Sequence, residues 1–485
     1  MSVKAKEVNL TEGPFLKKII VYIIPLMLTG LLQTLYNAVD LMVVGRFRGE
    51  IALAAVGTTG ALTNLIVGLF MGLSVGAGVV VAQHIGALEF KRVEKVVHSS
   101  VSMAAILGVA VGTVGFFGAE QFLIWMGTPE NVLPDATLYL RIIFCGIPAS
   151  MVYNYCASIV NATGETKKPL VFLAISGAVN LLLNIILVVF CGMGVEGVAI
   201  GTIASQYLSA VMVIVYMRKL DNSIKFSFRK LCLDGRSVGR VLSIGIPSGL
   251  QSVLFSLSNV LIQSSINSFG GLVMAGNAAA SNLEGLCYIA MNSVSRASMT
   301  FAGQNMGAKK YKNIKRIALL TIACATVIGI FVTVLILLCR DFFIGLYVSG
   351  EGLSAEQLKA TLDAAMTRLF YILPLYFLCG IMEATCGILR GMGRSVTTMV
   401  ISLIGACAFR IVWIETMFKH VWRSTQCVFI SYPISWGMIV IANLIVFAVL
   451  YRHLVKGEES ERFFDRVKRH TYKHRKGAET EEKQL

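Results

Sequence analysis

Twelve apolar runs divide the chain, near 16–45, 51–85, 94–117, 132–162, 168–190, 194–218, 238–268, 273–304, 314–339, 360–390, 396–419 and 426–451. Each reaches or approaches the roughly 20 residues that cross a hydrocarbon layer. The longest must tilt, bend or extend past it. A bilayer core holds no water to satisfy peptide groups, so runs of this kind enter it as helices. Composition agrees. The 485 residues are 56% hydrophobic and 14% charged, with a mean hydropathy of +0.73, whereas a soluble domain carries about 25% charged residues. The expected fold class is an all-α polytopic membrane protein with twelve transmembrane helices.

The formal net charge of +16 does not point to nucleic acid, because the cations are sorted by side. Counted over the expected spans, 33 of the 43 Lys and Arg fall on one face and six on the other (Arg46, Arg48, Arg340, Lys359, Lys419, Arg423). Four more, Arg141, Arg296, Arg368 and Arg410, lie within helices. The positive-inside rule then places both termini in the cytoplasm. Lys17 and Lys18 precede the first run as in a signal peptide, but the run continues to Val44 with no small-residue cleavage site, so it reads as a retained helix. The 11 cysteines lie mostly inside apolar runs without metal spacing and read as small buried residues. No Walker A loop, CxxC or HExxH occurs, so neither an ATP-driven pump nor a metalloenzyme is indicated.

The chain also repeats itself. "AQHIGALEFKRVEKV" (82–96) aligns with "GQNMGAKKYKNIKRI" (303–317), matching Gln83 to Gln304, Gly86 to Gly307, Ala87 to Ala308 and Lys91 to Lys312. Pro25 and Pro247 keep nearly the same separation, as do Pro148 with Pro374 and Gly164 with Gly393. The expected organisation is an N-terminal six-helix lobe (1–218), a basic cytoplasmic linker (219–240), a C-terminal six-helix lobe (241–451) and a charged cytoplasmic tail (452–485). Six crossings per half is even, so both halves insert in the same direction, a parallel repeat that secondary transporters use to rock two bundles about a central site.

Polar residues inside the runs mark where such a site would lie. The first run carries Gln33, Tyr36, Asn37 and Asp40. A carboxylate at the bilayer centre costs about 2.5–3.5 kcal/mol on insertion scales, so its presence suggests function. Out of water the charged form is disfavoured, so Asp40 can hold a proton or exchange it for Na+, whose preferred ligands are oxygens. The alternative is a solvated structural Asp near the helix end. Asn180 and Asn184 share one helical face. Pro25 is expected to bend the first helix, as a static kink or as a switch coupled to Asp40. In the second half, Gln251, Asn259, Glu284 and Glu383 are candidates for lining a substrate cavity. Glu383 could instead pair with Arg410 and be purely structural.

Pro25 followed by "YNAVDLMVVGR", the paired "AQHIGA" and "GQNMGA", "GVEGVAIGTIAS" and "GILRGMGRS", in order on twelve spans, resemble the multidrug and toxic compound extrusion (MATE) family, in its bacterial branches. The resemblance covers residues 14 to about 451. It implies a non-enzymatic antiporter in the plasma membrane, exporting organic and often cationic, hydrophobic compounds in exchange for H+ or Na+, with two bundles around a V-shaped cavity. It further implies that Asn180, Asn184 and the hydroxyl of Thr202 share the coupling ion with Asp40, possible Na+ included. The family commonly has Asp where this chain has Asn184, which leaves one carboxylate rather than two. No cofactor is expected beyond the coupling ion, and the partners expected are small organic substrates and membrane lipid, with no nucleic acid and a monomeric chain. The rivals are a lipid-linked oligosaccharide or cell-wall precursor flippase, which often has fourteen spans and an Arg-rich cavity, then an integral-membrane enzyme and a channel.

Overall fold

The computed structural model describes residues 9–340, 344 and 354–481. Its helices are α1 (Phe15–Gly86), α2 (Phe90–Trp125), α3 (Leu133–Ala162), α4 (Lys167–Phe190), α5 (Val195–Lys219), α6 (Gly235–Asn267), α7 (Gly271–Gly307), α8 (Tyr311–Leu338), α9 (Ala355–Gly391), α10 (Ser395–Val421) and α11 (Thr425–Glu481). Within α1 the helical path breaks at Gly49, at φ 81° and ψ −172°, a conformation that costs glycine little and other residues much. The two arms of α1 and the ten later helices make twelve crossings. All but α7 are apolar enough to span by length and composition. The polarity of α7, which carries Asn277, Glu284, Asn292 and Arg296, marks it as a helix facing protein rather than lipid.

The repeat is visible in the backbone. The turns after "IGA" and "MGA" both place a non-glycine residue in the left-handed region, Leu88 at φ 57° and Lys309 at φ 55°. Gly164 and Gly393 do so at the second matched turn. The two lobes each have a core, one drawing on residues between Val44 and Ile244 together with Met299, the other on residues between Ile262 and Val440. The chain boundary is not the packing boundary. The start of α1 (Phe15, Ile19, Tyr22, Ile23, Leu26) packs with Val294, Phe301, Ile317 and Ile388 of the second half, while Val44, further along the same helix, belongs to the first core. The start of α6 does the reverse: Val241 and Ile244 join the first core, Ile262 and Ile266 the second. The matched prolines, Pro25 and Pro247, thus stand in the two helices that cross between lobes. Pro25 itself keeps helical dihedrals, and Thr29 Oγ1 donates to its carbonyl at 2.8 Å.

The lobes meet tightly toward the basic end. Glycine makes this possible, because backbones can approach only where no side chain intervenes. A Cβ on Gly72 would lie 2.3 Å from Gly249 Cα, and one on Gly76 would lie 2.1 Å from Val241 O. At the tip, Cβ atoms on Gly86 and Gly307 would each stand 1.8 Å from a carbonyl, of Gln304 and Gln83 respectively. The repeated glutamines seal the same seam reciprocally: Gln83 Nε2 donates to Gly391 O at 2.9 Å and Gln304 Nε2 to Ala162 O at 2.8 Å. Tyr22 and Thr300 hydroxyls add a buried bond at 2.9 Å. Because the clash is with backbone, Gly86→Ala should hold this end apart, at a cost of about 1–3 kcal/mol to the closed form. Faster amide hydrogen exchange in segments 83–87 and 304–308 checks it; wild-type exchange would show that the seam relaxes freely.

Candidate functional site

Asp40 sits in the first arm of α1, 8% exposed, between α4 and α5. Asn184 Nδ2 donates to its Oδ1 at 2.5 Å, and Thr202 Oγ1 lies 3.3 Å from its Oδ2. Asn180 satisfies both neighbours when its amide nitrogen donates to Asp40 Oδ1 at 3.1 Å and its oxygen accepts from Thr202 N at 3.3 Å. Four residues named from the sequence therefore converge on one point, contributed by three helices. No ion pair to Asp40 occurs among the described residues. Thr202 Oγ1 also donates to Val198 O at 2.9 Å. A hydroxyl has one proton, so Thr202 can either donate to the carboxylate or, passing its proton to Val198, accept one from a protonated Asp40.

Small residues open the space for this cluster. A Cβ on Gly201 would lie 2.4 Å from Asn184 Oδ1, and one on Gly177 would lie 1.9 Å from Tyr36 Cζ. Tyr36 reaches α4 and donates to Ala174 O at 3.4 Å. Asn184 Oδ1 is buried with no hydrogen-bond partner. The oxygens that face the cluster are thus the Asp40 carboxylate and the Thr202 hydroxyl, and the Asn184 carbonyl would join them only if its amide turned. Nearby on the first arm of α1, Gln33 is half-buried and Asn37 exposed.

The second lobe is arranged differently from the expectation. Glu284 does not stand open as an acid. Arg368 grips both its oxygens, Nε to Oε1 at 2.6 Å and Nη2 to Oε2 at 2.8 Å, and its Nη1 reaches Asn277 Oδ1 at 2.6 Å. The guanidinium lies 5.6 Å from the Phe429 ring and 5.7 Å from that of Tyr432. Arg368 was visible in the sequence as an intramembrane cation, but nothing in the spacing named its partner. The Glu383–Arg410 pair does not form: Arg410 donates to Ser435 Oγ at 3.0 Å and lies 4.2 Å over the Tyr432 ring. Glu383 is buried, and its backbone carbonyl accepts from Ser295 at 2.8 Å. Gln251 is buried in a chain rather than lining open space. Its Nε2 donates to Ser402 Oγ and its Oε1 accepts from Arg390 Nη2, both at 2.8 Å. Asn259 is exposed.

Two parallel six-helix halves, sealed together at one end, with a buried carboxylate in the first half, define a secondary-transporter architecture. The MatE family profile matches twice, at residues 25–186 and 247–414, and the chain belongs to that family of multidrug efflux transporters. The two matches begin at the paired prolines, as a duplicated unit requires. Among curated proteins, the chain is similar to the probable multidrug resistance proteins YoeA and YpnP of Bacillus subtilis (strain 168). It is 25% identical to YoeA over 86% of this chain and 90% of the relative. The figures for YpnP are 27%, 84% and 89%. Among solved structures, it superposes on an outward-facing multidrug resistance MATE transporter of the MOP superfamily with a TM-score of 0.86, at 21% identity, covering 94% of this chain and all of the other. The solved structure is that of a transporter, and the chain is a multi-pass membrane protein with the twelve-helix, two-lobed fold.

Proposed function

We propose that this protein is an antiporter of the plasma membrane, with both termini in the cytoplasm, that exports hydrophobic organic cations by rocking its two lobes, and that the proton taken up at Asp40 drives the cycle. The observation that carries this is a buried carboxylate bonded only to neutral groups. With no fixed cation to neutralise it, its charge must be met by an ion from solution. The amide nitrogens that face Asp40 suit a carboxylate that gains and loses a proton. A Na+ ion would need Asn184 to turn its unpartnered carbonyl oxygen inward. Similarity to bacterial multidrug resistance proteins supports an organic, drug-like cargo.

The test is efflux of a fluorescent cationic dye from vesicles holding the purified protein. An imposed pH gradient in Na+-free buffer is expected to drive it. Efflux driven only by a Na+ gradient would move the coupling to Na+, and efflux under neither would overturn antiport.

A further inference from the structure

At the basic end, a concave basin of about 560 Å3 opens directly on the seam between the lobes. Its walls come from both halves. Arg92, in the first turn of α2, and Arg240, at the start of α6, stand on the side packed with the first core. Lys309 in the α7–α8 turn and Arg394 at the head of α10 stand on the other. Among the described residues Glu89 is the single carboxylate in the lining. It is already engaged: His84 Nδ1 lies 2.7 Å from its Oε2, and Arg92 Nη1 donates to both its oxygens at 2.9 Å. The hydrogen bond with His84, and then the Arg92 charge, hold Glu89 below the ordinary carboxylate range, so it stays ionised. Among the described residues the guanidinium groups of Arg92, Arg240 and Arg394 stand against one carboxylate, which leaves this lining positive. A second cavity of about 400 Å3 shares Arg92 and Arg240 and adds Lys95 and Arg236 against Asp234 alone.

Closing the lobes brings these like charges together, and their repulsion opposes closure. A bound polyanion would reverse that balance. We propose that this basin is a binding site for a phosphate-bearing anion, held by guanidinium groups from both lobes, and that its occupancy clamps the basic end shut. The chemistry fits, because planar guanidinium forks bind phosphate oxygens in pairs. The mechanical link is direct. Arg240 Nη2 also donates to Gln83 Oε1 at 2.8 Å, and Gln83 is one of the two glutamines that seal the seam. A ligand that touches both walls binds only when they are together, so it shifts the equilibrium toward that state. The phosphate can belong to a soluble molecule or to an anionic lipid headgroup.

Hydrogen exchange of the full chain in phosphatidylcholine vesicles separates these sources, with millimolar pyrophosphate added in one arm and phosphatidylglycerol in the other. Exchange across 83–93 and 304–312 should slow by about fivefold or more in at least one arm, the size of an ordinary allosteric coupling. A response to pyrophosphate identifies a soluble ligand, and a response to phosphatidylglycerol alone identifies a headgroup. The double variant R240Q/R394Q, one cation from each wall, should lose the response, and R394K should keep it. The Arg394 guanidinium makes no hydrogen bond or ion pair among the described residues, only its backbone does, so R394Q alone serves if the double variant does not assemble. K225Q/R229Q, on the linker, should respond like wild type. Slowing in neither arm, undiminished slowing in R240Q/R394Q, or equal loss in K225Q/R229Q would overturn the site.

Discussion

Asp40→Asn is expected to abolish gradient-driven accumulation while leaving the protein folded. One proton moving down one pH unit is worth about 1.4 kcal/mol, which in one-for-one exchange sustains a cargo gradient of about tenfold. Without a group that changes charge, the driving ion has nothing to act on, and the steady-state ratio should fall toward unity. The amide is isosteric and its polar atoms find partners. Asn184 Nδ2, at 2.5 Å from the first oxygen, still has a carbonyl to bond. The new amide nitrogen faces Thr202 Oγ1, which can pass its own proton to Val198 O. A loss of efflux in this variant therefore reports coupling rather than collapse, which helical circular dichroism confirms. Retention of a wild-type dye gradient by Asp40→Asn would remove this carboxylate from the mechanism.

The second large effect is on stability. Breaking the Glu284–Arg368 pair from either side should cost about 3–5 kcal/mol, since each partner is buried and the survivor is left uncompensated. Glu284→Gln leaves a guanidinium between two aromatic rings with one fewer anion; Arg368→Met leaves a carboxylate in an apolar core. The double variant Glu284→Gln/Arg368→Met should be much less damaged than the sum of the two, because no bare charge remains. Cys287, Cys379 and Cys386 are free and buried, so thermal unfolding can be followed by the reactivity of their thiols. Additive losses in the cycle would mean that the pair is not an energetic unit.

Much of this was legible in advance. Twelve spans, their limits and the doubled architecture follow from hydropathy and from the match of 82–96 to 303–317, because both signals are local and accumulate over many residues. Asp40, Asn180 and Asn184 could be picked out as polar residues in apolar helices, where their mere presence is costly. The repeated Gln83 and Gln304 were also plain in the sequence, but not their task. Each bonds a carbonyl in the opposite half, which no periodicity reveals. Glu284 and Glu383 looked alike as isolated intramembrane acids, yet one is clamped by Arg368 and the other is not. Arg410, a candidate partner for Glu383, bonds Ser435 instead.

The amino-acid sequence alone determined that this chain spans a membrane twelve times, in two like halves, with its cations gathered on one face. Those properties depend on the transfer of whole segments from water to hydrocarbon, an energy summed along the chain. Tertiary structure decided which polar groups satisfy one another, which buried acid is clamped by a cation and which are not, and how two helices cross between the cores. Hydrogen bonds and ion pairs act over about 3 Å, so they depend on which helix faces meet, and that in turn depends on glycines such as Gly72, Gly86 and Gly201 letting backbones and side chains approach.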